Sequence, residues 1–245
     1  MPNATPPPAI YDSPSPSPAP PSRTEIDAAL QYESQYADVI LSASVRYDLT
    51  PGGAVLPYAR IIVGDDTRST VPDLGQVYNE DAIVPAFGLR APLDKSQYSE
   101  LFAQGGYSFG LRGQRSFWET RWGFDYTRDY GTSFLSAFPH AEVNAGITSY
   151  SRFGGNTISY NNATYDARLA GPLRLMVGAA LSFDTHRDFA NNSAEADAGF
   201  MVPLSPDLDF TVVGVEGAFL SRGAGVPIPP SYSSYRVMLV ESKGP

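Results

Sequence analysis

The 245-residue chain has no cysteine, which excludes a disulfide framework and any cysteine metal site. Histidine occurs only as His140 and His186, with neither metal-ligand spacing nor a serine motif beside them. No apolar run approaches the roughly 18 residues of a transmembrane helix, and no amphipathic helix of convincing length appears. Strands cross a bilayer with a far weaker hydropathy signal, so this absence leaves a membrane barrel open. Positive charge is scarce. Lys and Arg total 17 against 26 Asp and Glu, and the net charge of −9 argues against a nucleic-acid partner. Gly110-Leu-Arg-Gly and Gly154-Gly155 read as loop glycines, because neither has the strand, Gly-rich loop and helix context of a phosphate site. The hydrophobic fraction, 42%, is slightly low, yet Tyr (15) and Phe (13) are plentiful. That balance suits a barrel, in which half of every strand is polar.

Strict alternation is the main positive signal. From Trp118 to Thr127, Trp118, Thr120, Trp122, Phe124 and Tyr126 share one face, and Glu119, Arg121, Gly123, Asp125 and Thr127 share the other. The pattern recurs over Ala37–Leu49, Val55–Val63, Ala82–Ala91, Ser99–Gly110, Ser133–Thr148, Ala163–Leu169, Leu173–Thr185, Ser193–Val202, Asp207–Leu220 and Tyr232–Glu241. Many of these segments exceed the usual soluble strand of about 5–6 residues and match the roughly 9–11 needed to cross a bilayer at a tilt. Eleven strands leave the odd count that bacterial barrels avoid. Asp27–Tyr36 therefore supplies the expected twelfth, with a tight turn after it.

Connections are expected to alternate in length. Tight links fall at Pro51-Gly52-Gly53, Asp94-Lys95-Ser96, Arg128–Gly131, Gly171-Pro172 and Pro203–Asp207; longer ones at Gly64–Asp81, Leu111–Ser116, Tyr150–Asn162, His186–Asn192 and Arg222–Ser231. Short turns on one side and long loops on the other is the habit of outer-membrane barrels. Residues 1–25 form a Pro-, Ser- and Ala-rich spacer expected to be disordered, and residues 26–245 the barrel. The start lacks the basic and apolar stretches of an export signal, so an upstream start or a fragment is expected for an exported protein.

The fold expected is thus an all-β, antiparallel up-and-down transmembrane barrel of about twelve strands, with a soluble β-sandwich as the alternative. On the barrel reading Tyr47, Trp118, Trp122, Tyr126, Tyr165 and Phe183 face lipid, those near strand ends forming aromatic girdles. The lumen-lining candidates are Arg46, Arg60, Glu119, Arg121, Asp125, His140, Glu142, Asn144, Asp166, Arg168, Arg174, Asp184, Glu195 and Asp197. Both signs are present, so cross-lumen ion pairs are expected, and charged rings tune selectivity in pores. The same charges also fit a plugged narrow barrel or a solvated sheet face.

Three function classes remain. A barrel acts without catalysis as a conduit or anchor; a soluble sandwich binds glycans through its loops; a lipid-modifying barrel enzyme uses His140 as base with Glu142 orienting it. Asp65, Asp66, Asn79, Glu80 and Asp81 bracket the first long loop with oxygen ligands of the kind calcium takes, or form an ordinary solvated loop. No catalytic residue, metal or cofactor is assigned.

Tyr58-Ala-Arg-Ile, then Ile83-Val-Pro-Ala-Phe-Gly-Leu-Arg-Ala-Pro-Leu and Ser99-Glu-Leu-Phe-Ala-Gln-Gly-Gly-Tyr, with the later Phe138-Pro-His-Ala, resemble outer-membrane barrels of the exopolysaccharide-export kind. That group includes the C-terminal barrel of bacteriophage N-four adsorption protein A and the cellulose and poly-N-acetylglucosamine porins. The resemblance covers about a third of the chain and carries no catalytic residues. It implies an outer-membrane conduit or anchor serving exopolysaccharide secretion and biofilm, with outer loops open to use as a surface receptor. The partners it implies are outer-membrane lipid, a polysaccharide and periplasmic secretion components.

Overall fold

A computed structural model describes residues 24–34, 37–50, 52–67, 81–96, 98–186, 192–220 and 230–243. The proline-rich segment lies outside the described residues, as does most of the first long loop. Twelve strands form one closed sheet: β1 (Thr24–Glu33), β2 (Asp38–Asp48), β3 (Leu56–Asp66), β4 (Ala82–Pro92), β5 (Ser99–Gly110), β6 (Phe117–Tyr130), β7 (His140–Tyr150), β8 (Asn156–Ala170), β9 (Leu173–Asp184), β10 (Ser193–Ser205), β11 (Leu208–Phe219) and β12 (Ser231–Lys243). Each pairs antiparallel with its sequence neighbour, and β1 closes the ring on β12 through a register running from Ile26↔Lys243 to Glu33↔Arg236. A closed ring leaves no sheet edge with unpaired backbone groups. Two stacked sheets are thereby excluded. The only regular helix among the described residues is a short 3-10 turn, Ser151–Phe153.

The twelfth strand expected from parity is β1, and the four-residue link after it turns through Ala37 at a positive φ of 50°. Three local expectations are corrected. The strand expected from Ser133 begins only at His140, and residues 131–139 are an irregular connection rather than a tight turn. Leu135 there takes a φ of 53°, which breaks the extended run, and the apolar alternation that imitated a strand leaves Leu135 and Phe138 exposed. Conversely, Asn156–Asn162 is the first half of β8, the longest strand, and not a loop. Its amides bond sideways within the barrel wall: Asn144 Nδ2 donates to Asn162 Oδ1 at 3.0 Å, and Asn161 Nδ2 donates to the Leu181 carbonyl at 3.3 Å.

The alternation of connection lengths is weaker than expected but present. One end of the barrel carries the two-residue turns at 171–172 and 206–207; the other carries the long links at 67–81, 185–192 and 220–230. Exceptions fall at both ends: the long-loop end also carries the four- and five-residue links at 34–37 and 151–155, and the short-turn end the seven-residue link at 49–55 and the nine-residue link at 131–139. Also at that end, Asp94 closes the β4–β5 turn. Its carboxylate accepts the Ser99 hydroxyl at 2.5 Å and the backbone N–H groups of Ser96 and Ser99 at 2.8 and 2.9 Å. The Ser99 hydroxyl, with backbone N–H groups helping, holds the Asp94 carboxyl below its usual range. A depressed folded-state value stabilises the turn above the unfolded value and loses that contribution as pH falls through the folded one. Asp94→Asn should therefore narrow the stability difference between neutral and acid pH, measured by denaturant unfolding at both. An unchanged difference would contradict the role given to this carboxylate.

Inside, tyrosines lie over glycines of the adjacent strand. A Cβ on Gly88 would sit 2.5 Å from Tyr58 Cζ, and one on Gly217 would sit 2.2 Å from Tyr232 Cζ. An aromatic ring covering a cross-strand glycine pins register at a point where the strand would otherwise be weak.

Candidate lumen

Which face is the interior follows from contacts between strands that are not neighbours. Arg46 on β2 is paired with Glu100 on β5, and Arg90 on β4 donates through Nε to Asp48 on β2 at 2.9 Å. Arg236 on β12 is 2.6 Å from Glu195 on β10. Such groups meet only across the inside. The rows holding them alternate with rows of exposed apolar side chains, so the charged groups mark the inner face and the exposed apolar rows the outer one; the inner rows of β4 and β11 are themselves largely apolar, with Val84, Val213 and Val215 buried.

Four charged clusters brace the interior. In the first, Arg46 also meets Glu25 at 2.5 Å, and Arg90 meets Glu100 at 2.9 Å, so two arginines share three carboxylates with Asp48 paired to Arg90. Tyr58 donates to Gln104 at 2.9 Å and lies 5.7 Å from the Arg46 guanidinium. In the second, Arg121 pairs with Glu119 on its own strand, faces the Tyr150 ring at 5.3 Å, and has Arg152 beyond it, 3.5 Å from Glu119. In the third, Arg236 bridges Glu195 and Glu33, and the Tyr232 hydroxyl donates to Glu195. Beside it, Met176, Met201, Val213 and Val215 form an apolar lining packed by Tyr232 and Met238.

The fourth cluster holds the 131–139 connection. Arg174, 1% exposed, pairs with Asp166 and donates to the carbonyls of Ser133, Ser136 and Phe138 at 3.2, 3.0 and 2.8 Å. The other Asp166 oxygen lies 2.8 Å from His140 Nδ1, and Asp129 lies 3.5 Å from His140 Nε2. His140 is thus engaged by Asp166 and Asp129. Glu142, the orienting acid of the enzyme reading, instead accepts from Asn144.

Among the remaining sequence candidates, Asp184 is buried between Asn156 (3.1 Å) and Asn192 (3.2 Å) at the long-loop end. Asp197 sits against Gly178 of the neighbouring strand. Arg168 is exposed at the rim, its Nε donating to the Gly171 carbonyl at 2.8 Å. Arg60 donates to Ser44 at 2.9 Å and lines open space. Of the outer aromatics, Tyr47, Trp118, Trp122, Tyr165 and Phe183 are well exposed and Tyr126 is partly so. Sequence reasoning missed Glu25, Asp48, Arg90, Glu100 and Arg236. The parity of Arg90 and Glu100 within their strands was a usable signal. Asp65 of the suspected calcium loop is taken by Arg112, at 2.5 and 2.8 Å, and Asp81 accepts the Asp66 backbone N–H at 2.7 Å. Asn79 and Glu80 lie outside the described residues, and no metal-holding group of three or more ligands occurs among those described.

Two cavities of about 890 and 560 Å³ occupy the interior. Both are lined by Asp27, Arg60, Thr127, Asp129, Asn144 and Tyr160, so they abut as one polar space. Asp27, Asp125, Glu142 and Asp209 face it with no ion-pair partner among the described residues, while Arg46 on its wall is doubly paired. Arg60 is the one arginine lining it that lacks a carboxylate partner among the described residues.

No protein-family model matches the chain, and no curated protein matches it. Solved structures of similar shape include the NanC porin (10% identity, TM-score 0.41, covering 89% of this chain and 99% of that one). The outer membrane channel DcaP of Acinetobacter baumannii matches at 13% identity and TM-score 0.36 over 89% of this chain and 71% of its own. OccK3 (OpdO) of Pseudomonas aeruginosa matches at 11% identity and TM-score 0.33 over 90% and 94%. At these scores the likeness carries no assignment of function.

Proposed function

We propose that this barrel sits in an outer membrane and works without catalysis as a polar conduit, with a neutral or cationic glycan chain as its exported cargo. The observation that carries the membrane reading is the outer surface. Along the described strands, the outward rows hold large exposed apolar side chains, among them Phe87, Trp118, Trp122, Leu175 and Phe200. A soluble monomer rarely exposes an apolar patch beyond about 300–600 Å², and here the apolar surface encircles the molecule. Strands of 10–15 residues are long enough to span a bilayer at a tilt. Outer aromatics gather toward both ends, with Tyr107 edge-on to Trp118 at 5.3 Å near the long loops and Tyr47, Tyr126 and Tyr130 near the short turns.

The cargo class follows from the lining. Unpaired carboxylates repel polyanions and favour cations or neutral chains. Tyr160, Asn144 and Asn162 offer the weak hydrogen-bonding and stacking contacts that let a sugar chain slide without being trapped.

In planar phospholipid bilayers the reconstituted chain should conduct, with a reversal potential favouring cations across a KCl gradient. Asp27→Asn with Asp125→Asn should move that potential toward zero. A silent or anion-preferring barrel would contradict the conduit reading, and swelling of proteoliposomes by neutral oligosaccharides tests the glycan.

A further inference from the structure

We propose that Arg128, with Tyr98 and Tyr130, holds the phosphate of an anionic phospholipid against the outer wall at the short-turn end. The inference rests on the membrane reading and deepens it by naming a lipid-binding site. Even-numbered residues of β6 point outward, as Trp118 and Trp122 show, and Arg128 and Tyr130 continue that row. Arg46, Arg60, Arg90, Arg121, Arg174 and Arg236 all lie on inward rows, and so does Arg168 at the rim, directly opposite Arg174 in the β8–β9 ladder, which leaves Arg128 as the arginine of the described strands on an outward row. Its strand neighbour Asp129 points inward to His140. No carboxylate pairs with Arg128 among the described residues, whereas five of the seven inward arginines have one, Arg60 and Arg168 being the others.

What Arg128 does have is aromatic. Its guanidinium carbon lies 5.0 Å from the centroid of Tyr98 and 4.7 Å from that of Tyr130. Two rings this close hold the fork in place without consuming its charge. The Tyr98 carbonyl accepts the Thr127 N–H at 2.9 Å, which ties the β4–β5 turn to this end of β6 and fixes the geometry. Arg128 is two residues from the end of its strand, about 7 Å at the usual rise. A long side chain there reaches headgroup level while its stem stays in hydrocarbon. A guanidinium fork matches two phosphate oxygens, and an anionic lipid supplies the missing negative charge.

The test uses the full chain and its Arg128→Gln and Arg128→Lys variants inserted in vesicles of phosphatidylcholine with phosphatidylglycerol, insertion being verified by heat-modifiable migration. Spin-labelled phosphatidylglycerol and phosphatidylcholine report the motionally restricted lipid around each barrel. The wild type should favour phosphatidylglycerol, and Arg128→Gln should lower that preference about tenfold at the one strong site, the scale of a lost charge-assisted contact. Arg128→Lys, which lacks the fork, should fall between. Equal preference in wild type and Arg128→Gln would overturn the site, and since both barrels are inserted it would leave the membrane reading standing. Displacement of the labelled lipid by millimolar inorganic phosphate would overturn it too, by making the site one for free anions.

Discussion

Arg174→Ala should free residues 131–139 from the barrel interior and destabilise the fold by about 3–5 kcal/mol, the cost of removing one partner from a buried ion pair. Asp166, fully buried, would lose its arginine and keep only His140, and three carbonyls of the connection would lose their donor. No other connection at the short-turn end is as long, and Gly131, Thr132 and Ser133 of this one line the larger cavity. The variant should accordingly be cut by protease within 131–139 while the strands stay protected. It should also conduct more in a bilayer, because a segment now fixed against the lumen wall would be free to leave it. Arg174→Lys should recover little, since a single ammonium cannot serve a carboxylate and three carbonyls at once. Unchanged melting together with a protected connection would refute the latch.

A second large effect concerns the two faces. Ala179 lies mid-strand in β9, exposed on the outer row, while Asn144 lines the cavities from β7. Ala179→Arg should block membrane assembly or destabilise the inserted barrel by about 2–4 kcal/mol, the cost of a cation at the bilayer midplane. Asn144→Arg should insert normally, because it adds a cation among unpaired carboxylates. The readout is the folded, heat-modifiable fraction after refolding into vesicles. Equal yields from the two substitutions would remove the basis for assigning one face to lipid.

Strand number and facing were legible because period-two alternation is a local property. Trp118 through Thr127 alone fixes which side of β6 faces inward, and parity was enough to recruit β1. The two errors of extent have one physical origin: side-chain pattern says nothing about backbone dihedrals. Ser133–Pro139 alternates like a strand, yet Leu135 adopts a left-handed φ and Arg174, 39 positions away from it, claims the backbone carbonyls. Asn156–Asn162 is polar like a loop, yet its amides are satisfied by neighbouring strands and it continues the ladder. The same limit applies to the lumen. Arg46, Asp166 and Arg174 could be placed inside by alternation, but which inward groups pair with one another could not be read from it. Glu100 meets Arg46 across a separation of 54 residues, which only barrel closure brings about.

The absence of native cysteine makes a scan of single-cysteine variants along β9, Leu173 to Asp184, the most direct measurement. Nitroxides attached in turn to each position of the reconstituted barrel should show oxygen collision, the signature of hydrocarbon, peaking at Leu175, Val177, Ala179 and Leu181. Collision with a water-soluble nickel reagent should rise instead at the intervening positions. Two-residue periodicity with opposite phase for the two reagents is the expected result; water access on the odd-numbered side, or no bilayer incorporation at all, would contradict a hydrocarbon-clad barrel with a wet interior.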